Sequence, residues 1–294
     1  MLKPLLLLAT LLFTLPLSAA ISVEDDSGRT VALSVPAQRI ISLAPHITEQ
    51  LFAIGAGEQI VGAVEYSDFP EQAQTIPRVG GYSQLDLERI LALEPELVVG
   101  WQSGNDPRQL ERLEQLGLTV YRSEPRALQA IAASMRRLGV LSGRTEQAEA
   151  EATLFMQKLQ RLAAMNRDRP ARRVFYQIWN RPLMTINGEH LIADVIRLCG
   201  GENVFSDLPV LTPKISTEAV LAADPDMIIA SGMGEARPEW LDEWRRWEQL
   251  SAVQEQQLHF IPPDLLQRAT PRLLLGAEQM CGMIRDASLP GGSP

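Results

Sequence analysis

The sequence predicts an α/β protein made of two lobes with mainly parallel sheets, joined by one long rigid helix. Three observations carry this. Short apolar runs alternate with helical runs in both halves of the chain, the pattern of parallel strands linked by crossover helices. A long helix-forming stretch, 145–167, separates the two halves. A short internal repeat puts the same helix-then-strand signal in each half.

Residues 1–20 read as a leader rather than as part of the fold. Lys3 is a basic n-region, 5–17 is an apolar h-region, and Ser18, Ala19 and Ala20 form a small-residue cleavage site. This is a secretory signal peptide, too short to span a membrane. No cysteine lies near the cleavage point, so a lipid anchor is not expected.

The N-terminal lobe is expected over 21–124. Residues 39–43 form a strand that ends at Ala44-Pro45. A helix follows, with Thr48 near its start, Leu51, Phe52 and Ile54 on one face, and a stop at Gly55-Ala56-Gly57. Strand 60–64, helix 86–93, strand 97–100, helix 110–116 and strand 118–121 complete it. A helical segment, 125–168, comes next, with helices at 127–141 and 145–167 parted by Ser142-Gly143. The second is rich in Ala, Glu, Gln and Leu, all good helix formers, and is about 35 Å long. Pro170 blocks its continuation.

The C-terminal lobe is expected over 169–288. It carries strand 173–177, helices 190–198 and 216–223, strand 227–230, helix 239–250, strand 258–261 and helix 271–286. Residues 289–294 read as a disordered tail. Residues 85–99 align without gaps on 215–229, so that Glu88, Leu91, Ala92 and Pro95 meet identical residues at Glu218, Leu221, Ala222 and Pro225. Two related, Rossmann-like lobes on a stiff connector leave a cleft between them, and such clefts are where ligands bind.

The full chain has a net charge of −9, and removal of Lys3 with the leader makes it more negative. An acidic surface argues against nucleic acid and anionic membrane as partners and suits a soluble monomer that meets a basic partner. Cys199 and Cys281 read as one disulfide in an oxidising compartment; two buried thiols are the alternative.

Few side chains stand out chemically. Tyr66, Tyr82, Trp101 and Trp179 fall at strand ends or in the loops after them, where rings either stack on a large flat ligand or fill the core. Trp240, Trp244 and Trp247 make a helical stripe, which points to packing. His46, after Pro45, reads as a polar group at the cleft rim rather than a metal ligand. His190 and His259 lie far from it in sequence, so no metal site is expected. No nucleophile elbow, phosphate-binding loop or dinucleotide fingerprint is present, and no catalytic residue is assigned. Glu88 and Glu218 follow the N-caps Asp86 and Ser216. They either complement helix dipoles or dock, one per lobe, onto arginines of a two-fold partner.

The runs at 41–49 (Ile-Ser-Leu-Ala-Pro-His-Ile-Thr-Glu), 66–70 (Tyr-Ser-Asp-Phe-Pro) and 87–90 (Leu-Glu-Arg-Ile) resemble the periplasmic cobalamin-binding proteins. These belong to the helical-backbone class of ABC substrate-binding proteins. Further matches are 97–101 with Asn105, 199–203, and 264–268 followed by Pro271-Arg272, so the resemblance spans nearly the whole mature chain. It implies a periplasmic protein that performs no chemistry, needs no cofactor, captures cobalamin and delivers it to an ABC importer permease. Tyr66 and the loop Asp264, Leu265, Leu266, Gln267 and Arg268 are then expected to contact the ligand. Tyr82 and Trp101 line the cleft, with Pro45 and His46 at its rim and Trp179 on the opposite lobe. Glu88 and Glu218 dock onto the permease, and Cys199 pairs with Cys281. Tyr82, Leu265 and Thr212 stand where the compared cobalamin binder carries tryptophan, and Gln267 replaces an acidic residue. These departures imply a pocket of altered affinity or cobamide preference. Two rivals remain. A haem or ferric-siderophore binder shares the class, with His46 as an axial ligand in the haem case; a siderophore site would want more cations than Arg268. A periplasmic metal-dependent enzyme would want a ligand-spaced cluster, which the sequence lacks.

Overall fold

The computed structural model describes residues 20–167, 170–232 and 236–287. The expected signal peptide, apart from Ala20, and the expected tail 289–294 lie outside the described residues.

The N lobe opens with an antiparallel hairpin of β1 (Ile21–Glu24) and β2 (Thr30–Leu33) that the sequence reading misses. The buried Asp25 carboxylate builds its turn by accepting from Ser27 N (2.9 Å), Ser27 Oγ (2.6 Å) and Arg29 N (3.0 Å). Then come β3 (Ile40–Ser42), α1 (Pro45–Ala53), β4 (Ile60–Ala63), the two-residue strands β5 (Gly80–Gly81) and β6 (Gln84–Leu85), α2 (Leu87–Ala92), β7 (Leu97–Trp101), α3 (Pro107–Gln115) and β8 (Val120–Ser123). The sheet order is β4-β3-β7-β8, all parallel. α3 starts three residues earlier than expected because Asp106 caps it, accepting from Arg108 N, and Pro107 takes the first helical position.

α4 (Leu128–Ser142) and α5 (Thr145–Asn166) form the connector. α5 has 22 residues, about 33 Å of helix. The two helices close up where Gly139 faces Ala148; a Cβ on Gly139 would stand 2.2 Å from the Ala148 methyl, which no packing tolerates. Buried residues of α4 and α5, among them Ile131, Met135 and Phe155, share one continuous core with Ile54 of the N lobe and Ile196 and Met280 of the C lobe.

The C lobe follows as β9 (Arg172–Gln177), α6 (Leu191–Leu198), β10 (Gly201–Asn203), α7 (Thr217–Ala223), β11 (Met227–Ala230), α8 (Ser251–Gln254), β12 (Leu258–Phe260), α9 (Pro263–Leu266) and α10 (Leu273–Asp286). Its sheet order is β10-β9-β11-β12, again all parallel. Cys199, capping α6, is bonded to Cys281 in α10. Closing a loop of 82 residues restricts the unfolded chain by roughly 4–5 kcal/mol in the chain-entropy account.

One expected element is corrected. Residues 239–250 do not form a single α-helix: Glu239–Arg246 is a 3-10 helix, and α8 starts separately at Ser251. Leu241 and Trp244 are both buried, and the Trp244 indole donates to Gln177 Oε1 at 2.7 Å and meets Phe175 edge-on. Anchors three residues apart suit the 3-10 repeat, in which i and i+3 eclipse.

Candidate functional site

Parallel strands carry their outgoing loops at one end, where open α/β sheets bind ligands. His46 follows β3, Trp101 ends β7, Trp179 follows β9, and the 264–268 loop follows β12. On the N-lobe side the His46 and Trp101 rings meet edge-on, 5.3 Å between centroids at 84°. Tyr82 lies against Trp101 at 6.1 Å. Asn105, buried, holds this wall. Its Oδ1 accepts from Trp101 N (2.6 Å), and its Nδ2 donates to Leu43 O (2.9 Å) and Tyr82 O (2.6 Å). Gly104 must be glycine, since a Cβ there would stand 1.9 Å from the Trp101 ring. Pro45 starts α1, and its fixed φ presents the half-buried Pro45 and the buried His46 at the helix's first turn. Tyr66 is 70% exposed and sits in the left-handed region at φ 64.

A cavity of about 110 Å³ opens between the lobes, lined by His46, Trp101 and Glu124 on one side and His190, Leu266, Gln267 and Ala269 on the other. The structure thus brings His46, Trp101, Leu266 and Gln267 together, with Tyr82 joined through Trp101. Trp179 does not line this cavity. It borders a separate hollow with Arg181, Arg237 and Trp240, and its indole donates to Arg181 O at 3.0 Å. Glu124, Glu189 and His190 line the cavity although sequence reasoning assigns none of them a role.

Burial, seconded by the Arg268 charge, pulls the His46 pKa down to about 4. Burial alone takes His190 to about 4. Both rings are therefore neutral at pH 7. His190 Nδ1 accepts from Ile192 N at 3.1 Å and caps α6, while His46 Nε2 is buried with no partner. Among the described residues no three His, Cys, Asp or Glu side chains cluster as metal ligands.

Beside the cavity, an ion-pair cluster joins the two lobes. Arg268 Nη1 donates to Glu49 Oε1 at 2.8 Å and to Asp68 Oδ1 at 3.0 Å, and its Nη2 lies 3.0 Å from Asp264 Oδ1. Arg272 reaches Glu49 Oε1 at 3.4 Å and lays its guanidinium 3.9 Å over the Phe69 ring. Gln50 Nε2 donates across the lobes to Ala269 O at 2.6 Å and is itself fixed by Ser134 Oγ at 2.8 Å. Gln267 Nε2 donates to Ser231 Oγ at 3.0 Å, so it belongs to the C-lobe frame. Leu265 is half-buried against the core. A wider groove of about 820 Å³ lies beyond this cluster, bordered by Glu49, Phe52, Phe69 and Arg272. None of the residues expected to contact a ligand lines it.

Glu88 and Glu218 are exposed, each at the second position of its helix, α2 and α7. Asp86 accepts from Arg89 N (3.0 Å) and Ser216 Oγ from Ala219 N (3.2 Å), so both caps are as expected. The Glu218 carboxyl is held below its usual range by its own backbone N–H and by Ser216.

Two parallel-sheet lobes on a long connector, with aromatic and polar groups gathered between them, define a two-lobe substrate-binding protein. Residues 40–265 match the periplasmic binding protein family, and the chain belongs to that family. It is 40% identical over 258 residues to the Vitamin B12-binding protein of Vibrio cholerae serotype O1, covering 87% of this chain and 92% of that one. It is 37% identical to the Vitamin B12-binding protein of Pectobacterium carotovorum, over 90% and 94% of the two chains. Among solved structures it resembles the periplasmic Vitamin B12 binding protein BtuF of Vibrio cholerae, with TM-score 0.79 and 39% identity over 86% of this chain and 98% of that one.

Proposed function

We propose that this protein captures a cobalamin in the periplasm and hands it to the permease of an ABC importer. The observation that carries this is the likeness, along nine-tenths of both chains, to proteins named for vitamin B12 binding. The geometry suits the reading. A corrinoid presents a broad flat face and a polar rim of amides. The Tyr82–Trp101–His46 wall offers stacking area, and the opposite loop offers Asp264, Gln267 and Arg268 to the rim. Tyr66, exposed at the edge of the N lobe, adds a further ring, with Leu265 and Leu266 as apolar neighbours across the cleft. Trp179 borders a hollow of its own and contacts a ligand only if that ligand extends beyond the small central cavity. The protein acts as a monomer, keeps no cofactor and changes no bond in its cargo; specificity comes from burial and rim hydrogen bonds. Glu88 and Glu218 meet permease arginines.

Titration calorimetry with cyanocobalamin tests this, and one-to-one binding is expected. Haem is the second reading, favoured by one observation: the neutral His46 ring at the cavity has a buried Nε2 without a partner, the state an axial ligand needs. A chain that takes up haem and gives no heat with cyanocobalamin overturns the first reading for the second.

A further inference from the structure

Arg268 is the most heavily paired side chain between the lobes. Its carboxylate partners come from three places: Asp264 in α9, one turn before it, Asp68 on an exposed N-lobe loop, and Glu49 from within α1. Glu49 differs from the others. Its side chain is 2% exposed, against 32% for Asp264 and 49% for Asp68. One oxygen, Oε1, serves both Arg268 and Arg272, and the Thr270 hydroxyl is a further polar neighbour of the carboxylate. Its neighbour Gln50 crosses to Ala269 O, so two consecutive residues of α1 grip two consecutive residues of the C-lobe loop.

Such an arrangement is a poor way to gain stability. A buried carboxylate costs desolvation that its ion pairs barely return, and an apolar side chain of similar size would do as well or better. Burial accordingly pushes the Glu49 carboxyl above its usual range despite two adjacent guanidiniums. What the arrangement does supply is geometry. A guanidinium held by carboxylates on different elements has one orientation, and the elements that hold it have one separation.

We propose that Glu49 is a positioning residue: from inside the N lobe it fixes the orientation of Arg268, and with it the loop that borders the cleft, and sets the spacing of the two lobes. Its link to ligand affinity rests on the cleft being the cobalamin site; the lobe spacing does not. The Arg268 loop lies between the central cavity, bordered by Gln267 and Ala269, and the outer groove, bordered by Glu49 and Arg272. Glu49 thus grips this loop from the side away from the ligand.

Glu49→Gln keeps the shape and removes the charge. Spin labels on Gln115→Cys and Gln249→Cys, exposed positions on opposite lobes, report lobe separation in the ligand-free protein. The unmodified background is expected to give one narrow distance, and Glu49→Gln a broadened or lengthened one. Cyanocobalamin affinity is expected to fall about tenfold in Glu49→Gln. Arg268→Gln with Glu49→Gln is expected to bind no more weakly than Arg268→Gln alone, because Glu49 acts through Arg268. A purely local packing role would lower the melting temperature and leave the distances unchanged, and that result overturns the proposal. Additive losses of affinity overturn the route through Arg268. If the unmutated protein does not bind cyanocobalamin, the ligand reading fails by itself and the distances still judge the spacing role.

Discussion

The two walls of the cleft are fixed by different physics. The aromatic face of the N lobe is held by neutral hydrogen bonds within its own lobe: Asn105 ties Trp101, Leu43 and Tyr82 together, and the Trp101 ring then sets His46. The C-lobe segment that borders the cavity is locked from outside by charge: Arg268 takes two of its three carboxylates from the other lobe. Neutral hydrogen bonds inside a lobe make a rigid surface that survives any movement of the lobes. Ion pairs across the lobes make a surface whose shape depends on the lobes staying together. A stacking platform needs the first property, and a rim that admits and releases a bulky cargo can use the second.

Breaking the N-lobe wall gives the largest expected effect. Asn105→Ala strands the buried Leu43 carbonyl, at about 1–3 kcal/mol, and leaves the part-buried Trp101 N–H and Tyr82 carbonyl without their partner. A loss of about 3 kcal/mol is expected by urea unfolding, or close to 10 °C in melting temperature for a chain of this size. Ligand affinity should fall with it, because the Trp101 and Tyr82 backbones lose their shared anchor. A stability change below about 0.5 kcal/mol would mean that the wall is held by ring packing instead.

Acid separates the walls next. His46 is folded with a pKa of about 4, below its ordinary value of 6.5. Between those values the unfolded chain binds a proton that the folded chain refuses. Stability is therefore full above about pH 6.5 and declines as the pH falls toward 4, by up to about 3 kcal/mol for this group. Glu49 has the opposite sign. Its folded pKa is raised, so acidification through that value favours the folded form. Melting curves from pH 7.5 to 4.5 on the parent and on His46→Gln check this. The parent should lose stability faster than the variant as the pH falls; equal slopes would assign acid sensitivity elsewhere, with His190 the next group to replace.

The same contrast decides what the sequence made legible. Alternating strands and helices, the connector and the repeat follow from local periodicity, and the sheets appear where that periodicity puts them. Trp101, Tyr82 and His46 are visible because they follow strand ends in a chain poor in aromatics. Glu49 and Gln50 are not. The periodicity of α1 marks Leu51, Phe52 and Ile54 as its inner face, yet Glu49 and Gln50 are buried too, because the second lobe covers the helix from the other side. A polar run that breaks no helical rule gives no local sign of a partner some 220 residues on. The β1–β2 hairpin escaped for a similar reason: Asp25 and Asp26 accept from the backbone of Arg122 and Glu124, and Asp26 pairs with Arg137.

The smallest effect on the isolated protein should come from Glu88 and Glu218, which belong to neither wall. Each stands exposed at the second position of a short helix, where a carboxylate complements the dipole and can still fork onto an arginine. Dipole and docking roles diverge under charge reversal. Glu88→Arg with Glu218→Arg puts cations at two helix N-termini, so a small fall in melting temperature is expected on either account. Cyanocobalamin affinity should not move, because neither residue lines the cavity between the lobes. Uptake into vesicles carrying the permease is where the accounts separate. If the pair docks, reversed charges meet arginines with arginines, and like-charge contacts cost several kcal/mol, enough to abolish delivery. If the pair only complements the helix dipoles, the double variant delivers cargo as well as the parent once both are fully folded. Normal uptake by a slightly less stable double variant would therefore reduce both glutamates to partners of the helix dipole and move the docking surface elsewhere on the lobes.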